Sequence, residues 1–112
     1  MRTLQYFIDA ARVLLLDTKM PYRYEEAELR LALDLALDEA FRIRPDIFIR
    51  NEVENMMTAA LSYEVPIPRG YTSPFIYHIV GHAQLRDDED VQDARASAML
   101  GKFTSQLLTT AA

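Results

Sequence analysis

Cysteine and tryptophan are absent from this chain, and glycine occurs only three times in 112 residues. Without cysteine, disulfides and thiolate metal sites are excluded, and the lack fits a reducing compartment. With glycine only at Gly70, Gly81 and Gly101, there is no glycine-rich loop to cradle a phosphate. No serine sits in a nucleophile-elbow pattern. No apolar run approaches the roughly 18 residues that span a bilayer. The start, Met1-Arg2-Thr3 with Asp9 inside the first apolar stretch, lacks a signal-peptide cleavage region. The sequence is therefore read as cytosolic at synthesis, with no membrane partner.

Clustered positive charge is missing as well. Twelve Lys and Arg are scattered among seventeen acids, for a net charge of −5. Nucleic-acid readers carry a basic patch, so sequence-specific DNA or RNA binding is not expected. An acidic wall that repels DNA is compatible with this balance.

What the chain does have is apolar side chains, 50% of its residues. A chain of this length makes one domain, and such a domain buries only about two-thirds of its unfolded surface. The apolar surplus hints at burial against other subunits. No internal repeat or low-complexity segment interrupts residues 1–112, which read as one helical domain.

Periodicity predicts a first helix from about Thr3 to Asp17, with Leu4, Phe7, Ile8, Ala11, Leu14 and Leu15 on one stripe and Thr3 as N-cap. Met20-Pro21 stops it. A second helix is expected from about Glu25 to Arg42, acidic at its start, basic at its end and closed by Pro45. Leu29, Leu33, Ala36, Leu37 and Ala40 form one stripe there, and Leu31 and Leu35 a second. Two stripes suit contact with both the core and a partner, or a helix central to its own domain. Asn51 to Leu61 is predicted to be helical, with Asn51 and Glu54 as a capping box and Val53, Met56, Met57, Ala60 and Leu61 buried. Pro66 and Pro68 make Ser62 to Gly70 extended or looped. Ser73 and Pro74 open a helix to about Leu85 or Arg86, with Phe75, Ile76, Ile79, Val80 and Ala83 inward. The last helix runs from about Asp88 or Glu89 to Leu108, leaving Thr109 to Ala112 as a small tail. The expected fold is all-α: a small bundle of four to five helices with an extended, proline-containing central loop and a flexible C-terminal tail.

Three constellations bear on chemistry. His78 and His82 are four apart on one helix face, a spacing that can hold zinc, with a third ligand available only from Asp87 to Asp90. No glutamate follows the first histidine as in a metalloprotease, and two ordinary helix histidines is the reading preferred. The run Asp87-Asp88-Glu89-Asp90, with Asp93, lacks the glycine of a calcium loop and is explained by helix capping. Tyr22, Tyr63 and Tyr71 fall in loops, where tyrosine serves either an interface or the sealing of a small core. No catalytic residue, cofactor or metal is expected.

Several pieces in order resemble the head-to-tail adaptor (connector) proteins of tailed bacteriophages. They are Ala11-Arg12-Val13-Leu14-Leu15-Leu16-Asp17-Thr18, Tyr22-Arg23-Tyr24, the helix with Glu28-Leu29 and Asp38-Glu39-Ala40, then Arg44-Pro45-Asp46. Val65-Pro66-Ile67-Pro68 and Tyr71 follow, then Pro74, Arg86-Asp87-Asp88-Glu89-Asp90, Ala94-Arg95-Ala96 and Phe103. Larger relatives often hold a β-rich insertion after Arg-Pro-Asp; here only about twenty residues separate it from the proline loop. The resemblance implies a structural virion protein, made in the host cytoplasm. Its copies would form a dodecameric ring beneath the portal protein, extend the DNA channel without reading sequence, and dock a stopper or tail-completion protein. It further implies a core at about 3–103 and a portal-docking tail at about 104–112. Phe103, Gln106, Leu107 and Leu108 would contact the portal, and Leu31, Leu35, Tyr63 and Tyr71 would meet neighbouring subunits. The alternative from another class is a small helical binding module, such as an antitoxin or regulator; a metal-dependent hydrolase ranks below both.

Overall fold

A computed structural model describes residues 2–47, 53–85 and 90–108. Among these residues the architecture is helical: α1 (Leu4–Leu14), α2 (Glu26–Ile43), α3 (Thr72–Leu85) and α4 (Asp90–Leu108). The only strands there are two-residue pieces, β1 (Arg2–Thr3) and β2 (Glu64–Val65), paired antiparallel with Arg2 opposite Val65. The all-α expectation holds, and the buried apolar side chains form one continuous core.

Helix α1 begins where predicted. The Thr3 hydroxyl accepts from the Tyr6 amide at 3.2 Å. The amides of Leu4 and Gln5 donate to the carbonyls of Tyr63 and Leu61 at 2.9 and 3.0 Å. Three orphan donors of the first turn are thus satisfied. Two of those bonds tie the helix start to a segment about sixty residues away in sequence.

The helix ends earlier than expected, at Leu14 rather than Asp17. The Asp17 amide reaches back to the Arg12 carbonyl at 2.9 Å and the Leu16 amide to the Val13 carbonyl at 3.2 Å. This is a Schellman closure, which needs a left-handed residue, and Leu16 takes it at φ 57°. A side chain with a Cβ costs about 1–2 kcal/mol there.

The offset comes from a buried ion pair. Arg12 Nη1 donates to Asp17 Oδ2 at 2.8 Å and to the Tyr24 carbonyl at 2.8 Å. Asp17 in turn accepts from the amides of Arg23 at 2.7 Å and Tyr24 at 3.0 Å. The Arg12 guanidinium lies 3.9 Å from the Tyr22 ring centroid. One pair therefore organises the whole connector from α1 to α2.

Helix α2 buries Leu29, Ala32, Leu33, Ala36, Leu37 and Ala40. The helix buried on most sides is α3, whose His78, Gly81 and Gln84 are buried along with its predicted apolar face. It packs against all three other helices. A short 3-10 turn, Arg69–Tyr71, runs directly into it, so it starts at Thr72 and places Ser73 inside the first turn instead of at the cap.

The helix expected at Asn51 to Leu61 is not formed among the described residues 53–61, which make turns; Asn51 lies outside the described residues. The Asn55 side chain and carbonyl hold a single turn by accepting from Met57, Thr58 and Ala59. Arg30 Nη1 then takes the Met56 and Ala59 carbonyls at 2.8 and 2.7 Å. In a helix those carbonyls would accept from Ala60 and Tyr63. Asp34 Oδ1 accepts the Met56 amide at 3.2 Å. The buried side chains become Met56 and Ala59, while Met57 and Ala60 are exposed.

Replacing Asp17 with Ala is expected to cost about 3–5 kcal/mol, because it leaves Arg12 charged and uncompensated in the interior. Chemical denaturation measures this; a loss below about 1 kcal/mol would show that the connector does not depend on the pair.

Candidate functional site

The last helix ends at Leu108, as expected. Residues 104–108 belong to α4, and residues 109–112 lie outside the described residues. Phe103 and Leu107 are fully buried. The Phe103 ring packs edge-on against Phe75 at 5.4 Å and against His78 at 4.7 Å. Arg44 Nη1 donates to the Leu107 carbonyl at 2.8 Å, while its other nitrogens grip Asp46 at 3.0 and 2.9 Å. That grip lowers the Asp46 carboxyl below its ordinary range. Phe103 and Leu107 therefore serve the chain's own core, a correction to their assignment as portal contacts. Gln106 and Leu108 are exposed, Leu108 to 62%.

The proposed neighbour contacts divide similarly. Leu31 and Leu35 stand on the outer face of α2, 37% and 38% exposed. Tyr63 is half-buried, and its hydroxyl accepts the Glu54 amide at 3.3 Å. Tyr71 is buried, with its hydroxyl beside Arg44. Its ring seals the core at the entrance to α3, so it is corrected from a neighbour contact to a core residue.

The two most exposed large apolar side chains, Leu16 and Met20, were not singled out by pattern, whereas Tyr22 was named among the loop tyrosines. Leu16 is 90% exposed and Met20 79% exposed, with Val13 and Tyr22 also at the surface. Val13 also lines an open, mainly apolar groove of about 400 Å³ between α1 and α3, with Ala10, Leu14, Ser73, Ile76 and Tyr77. One signal was available: Val13-Leu14-Leu15-Leu16 is four apolar residues in a row at a helix end, and one helix face cannot bury all four.

His78 and His82 do share a face, their rings stacked at 5.4 Å and 21°. Among the described residues no group of three or more His, Cys, Asp or Glu side chains could hold a metal ion. Asp87 to Glu89, named as a source of a third ligand, lie outside the described residues. Burial pushes His78 down to about 4, with His82 adding to the shift and Glu39 and the Ala32 carbonyl opposing it. Nδ1 of His78 is buried with no hydrogen-bond partner among the described residues. The arrangement suits a neutral core histidine.

No described helix is long and apolar enough to cross a membrane. No family model matches the chain, and no curated protein or solved structure matches it either.

Two outcomes follow from this placement. Phe103→Ala should cost about 3–5 kcal/mol and Leu107→Ala about 2–5 kcal/mol. Gln106→Ala and Leu108→Ala should stay within about 0.5 kcal/mol, as for ordinary surface changes. Equal effects at Leu107 and Leu108 in thermal unfolding would contradict the burial. The second concerns pH. His78 binds a proton less readily folded than unfolded, so its contribution is complete above pH 6.5, its ordinary value, and shrinks as pH falls towards 4. Stability should drop by about 2 kcal/mol between pH 6.5 and 5 on this account, and His78→Leu should flatten that slope. An unchanged slope in the variant would assign the pH dependence elsewhere.

Proposed function

We propose that this chain is a structural assembly protein: a head-to-tail adaptor of a tailed bacteriophage, acting through protein contacts and without catalysis. On this reading copies form a ring below the portal that extends the DNA channel and receives a stopper or tail-completion protein. The observation that carries it is the distribution of apolar surface. The core is closed by its own helices, yet large apolar side chains remain outside on the α1 connector, on α2 and at the end of α4. Scattered single exposed apolar residues need no explanation, but Val13, Leu16, Met20 and Tyr22 fall within ten residues of sequence. The ordered motifs quoted above supply the choice of assembly. Net acidity suits a channel wall, since attraction would hold back moving DNA.

A second reading, a small helical binding module, is favoured by one feature. The groove between α1 and α3 is open and apolar enough to receive a side chain or helix from a different partner.

Purified mature particles from the source virus separate the two. The adaptor reading expects the chain at the head–tail joint, visible by imaging and lost in particles made without its gene. Within that reading, Leu31→Glu with Leu35→Glu should leave the circular dichroism helical and prevent ring formation. Rings retained in the double variant would reject those residues as subunit contacts, and absence of the chain from particles would reject the virion role.

A further inference from the structure

We propose that α4 is an acid-released arm: when the buried imidazole of His78 takes a second ring proton, α4 undocks and carries Phe103 away from α3, while α1, α2 and α3 stay folded. The device does not depend on the phage reading.

His78 stands where three helices meet. Its ring is stacked on His82 of its own helix at 5.4 Å and meets Phe103 of α4 edge-on at 4.7 Å. From α2 the Ala32 carbonyl accepts the one proton of the neutral ring. The other nitrogen, Nδ1, is buried with no hydrogen-bond partner among the described residues. A second proton has to go to Nδ1. It would create a charged donor without an acceptor, on a residue only 7% exposed. An unpaired charged donor in an interior is costly, whereas water satisfies it at once if the joint opens.

The surrounding charges give no relief. On α3 the neighbour is His82, a second imidazole that repels when it is itself protonated. On α2 the carboxylate acting on His78 is Glu39, already bound by Arg42. On α4 the residue beside Phe103 is Lys102, a cation set over the Tyr77 ring at 5.2 Å. Helix α1 borders α3 along Ser73, Ile76 and Tyr77, and its Asp9 and Arg12 are engaged by Gln5 and Asp17. Burial and His82 together outweigh Glu39 and hold the closed ring at about 4, against an ordinary 6.5. Below pH 6.5 an opened ring therefore takes the proton that the closed ring refuses, and acid draws the joint open.

The element free to yield is α4. It packs chiefly on α3, with a smaller contact to α2, whereas α1 and α2 also pack on α3 directly. The ties that hold the rest of the bundle lie outside α4. The Leu4 and Gln5 amides reach the Tyr63 and Leu61 carbonyls, Asp17 matches Arg12, and Arg30 holds the turn at Met56 and Ala59. Arg44 clasps α4 through the Leu107 carbonyl, and the Asp46 carboxyl that steadies Arg44 lies below its ordinary range. That clasp keeps its charges while the imidazole titrates, so loosening between pH 6.5 and 5 falls on His78. Opening of one cooperative unit ahead of the whole is the usual pattern in native proteins.

Amide hydrogen exchange on the full chain, read as protection relative to an unstructured chain at the same pH, tests this. Values of 6.5 for the opened ring and about 4 for the closed one make the opened population roughly 20-fold larger at pH 5 than at pH 7. Protection over residues 99–108 should fall by about that factor and lie well below that of residues 29–40 in α2 at pH 5. His78→Leu should remove most of the fall. In the unmodified protein, NMR titration of the His78 ring should follow the loss of α4 protection. Equal protection of α4 and α2 at pH 5 would mean that the chain opens as a whole, which overturns the proposal. So would an undiminished fall in His78→Leu, or a His78 ring that titrates near 6.5 with residues 99–108 still protected. If His78→Leu is not helical at pH 7 by circular dichroism, the ring titration and the comparison of α4 with α2 decide.

Discussion

The buried pair of Arg12 and Asp17 is the constraint on which the shape of this protein turns. A charge taken out of water is tolerated only if it is matched, and here each member makes bonds beyond the ion pair itself. Arg12 uses a backbone carbonyl and an aromatic face; Asp17 uses two backbone amides. The pair thereby replaces secondary structure over a stretch that has none. It ends α1, turns the chain and delivers Tyr24 into the core ahead of α2. The cost of a leucine in a left-handed position is absorbed by the same network.

The device recurs. Arg30 collects two carbonyls from the turn around Met56 and Ala59, and Arg44 caps the end of α4 through the Leu107 carbonyl. In each case a planar donor in a helix, or for Arg44 just past its end, answers carbonyls of an irregular segment or a helix end, where orphan acceptors would otherwise be left. Helix packing brings α1, α2 and α3 together, but these three guanidinium groups decide where the connecting chain lies. Arg12, Asp17 and Arg44 all fall in the short motifs on which the proposed adaptor role rests. Their first role is the integrity of the fold.

The legible part of the sequence is the part governed by period and capping. Thr3 caps α1 as its position predicts, and the apolar stripe Leu29, Leu33, Ala36, Leu37, Ala40 is the buried face of α2. The illegible part is governed by partners distant in sequence. Residues 51–61 carry a helical pattern, but among the described residues 53–61 Arg30 and Asp34 capture backbone groups a helix would use, and no local signal announces that. Asp17 looks like the last polar residue of a helix until Arg12 is known to be buried beside it. Phe103 and Leu107 could face a partner or the core on periodicity alone; the T-shaped contacts of Phe103 with Phe75 and His78 place it inward. Surface assignments were correspondingly mixed: Leu31 and Leu35 are exposed as the second stripe required, whereas Tyr71 is spent on the core.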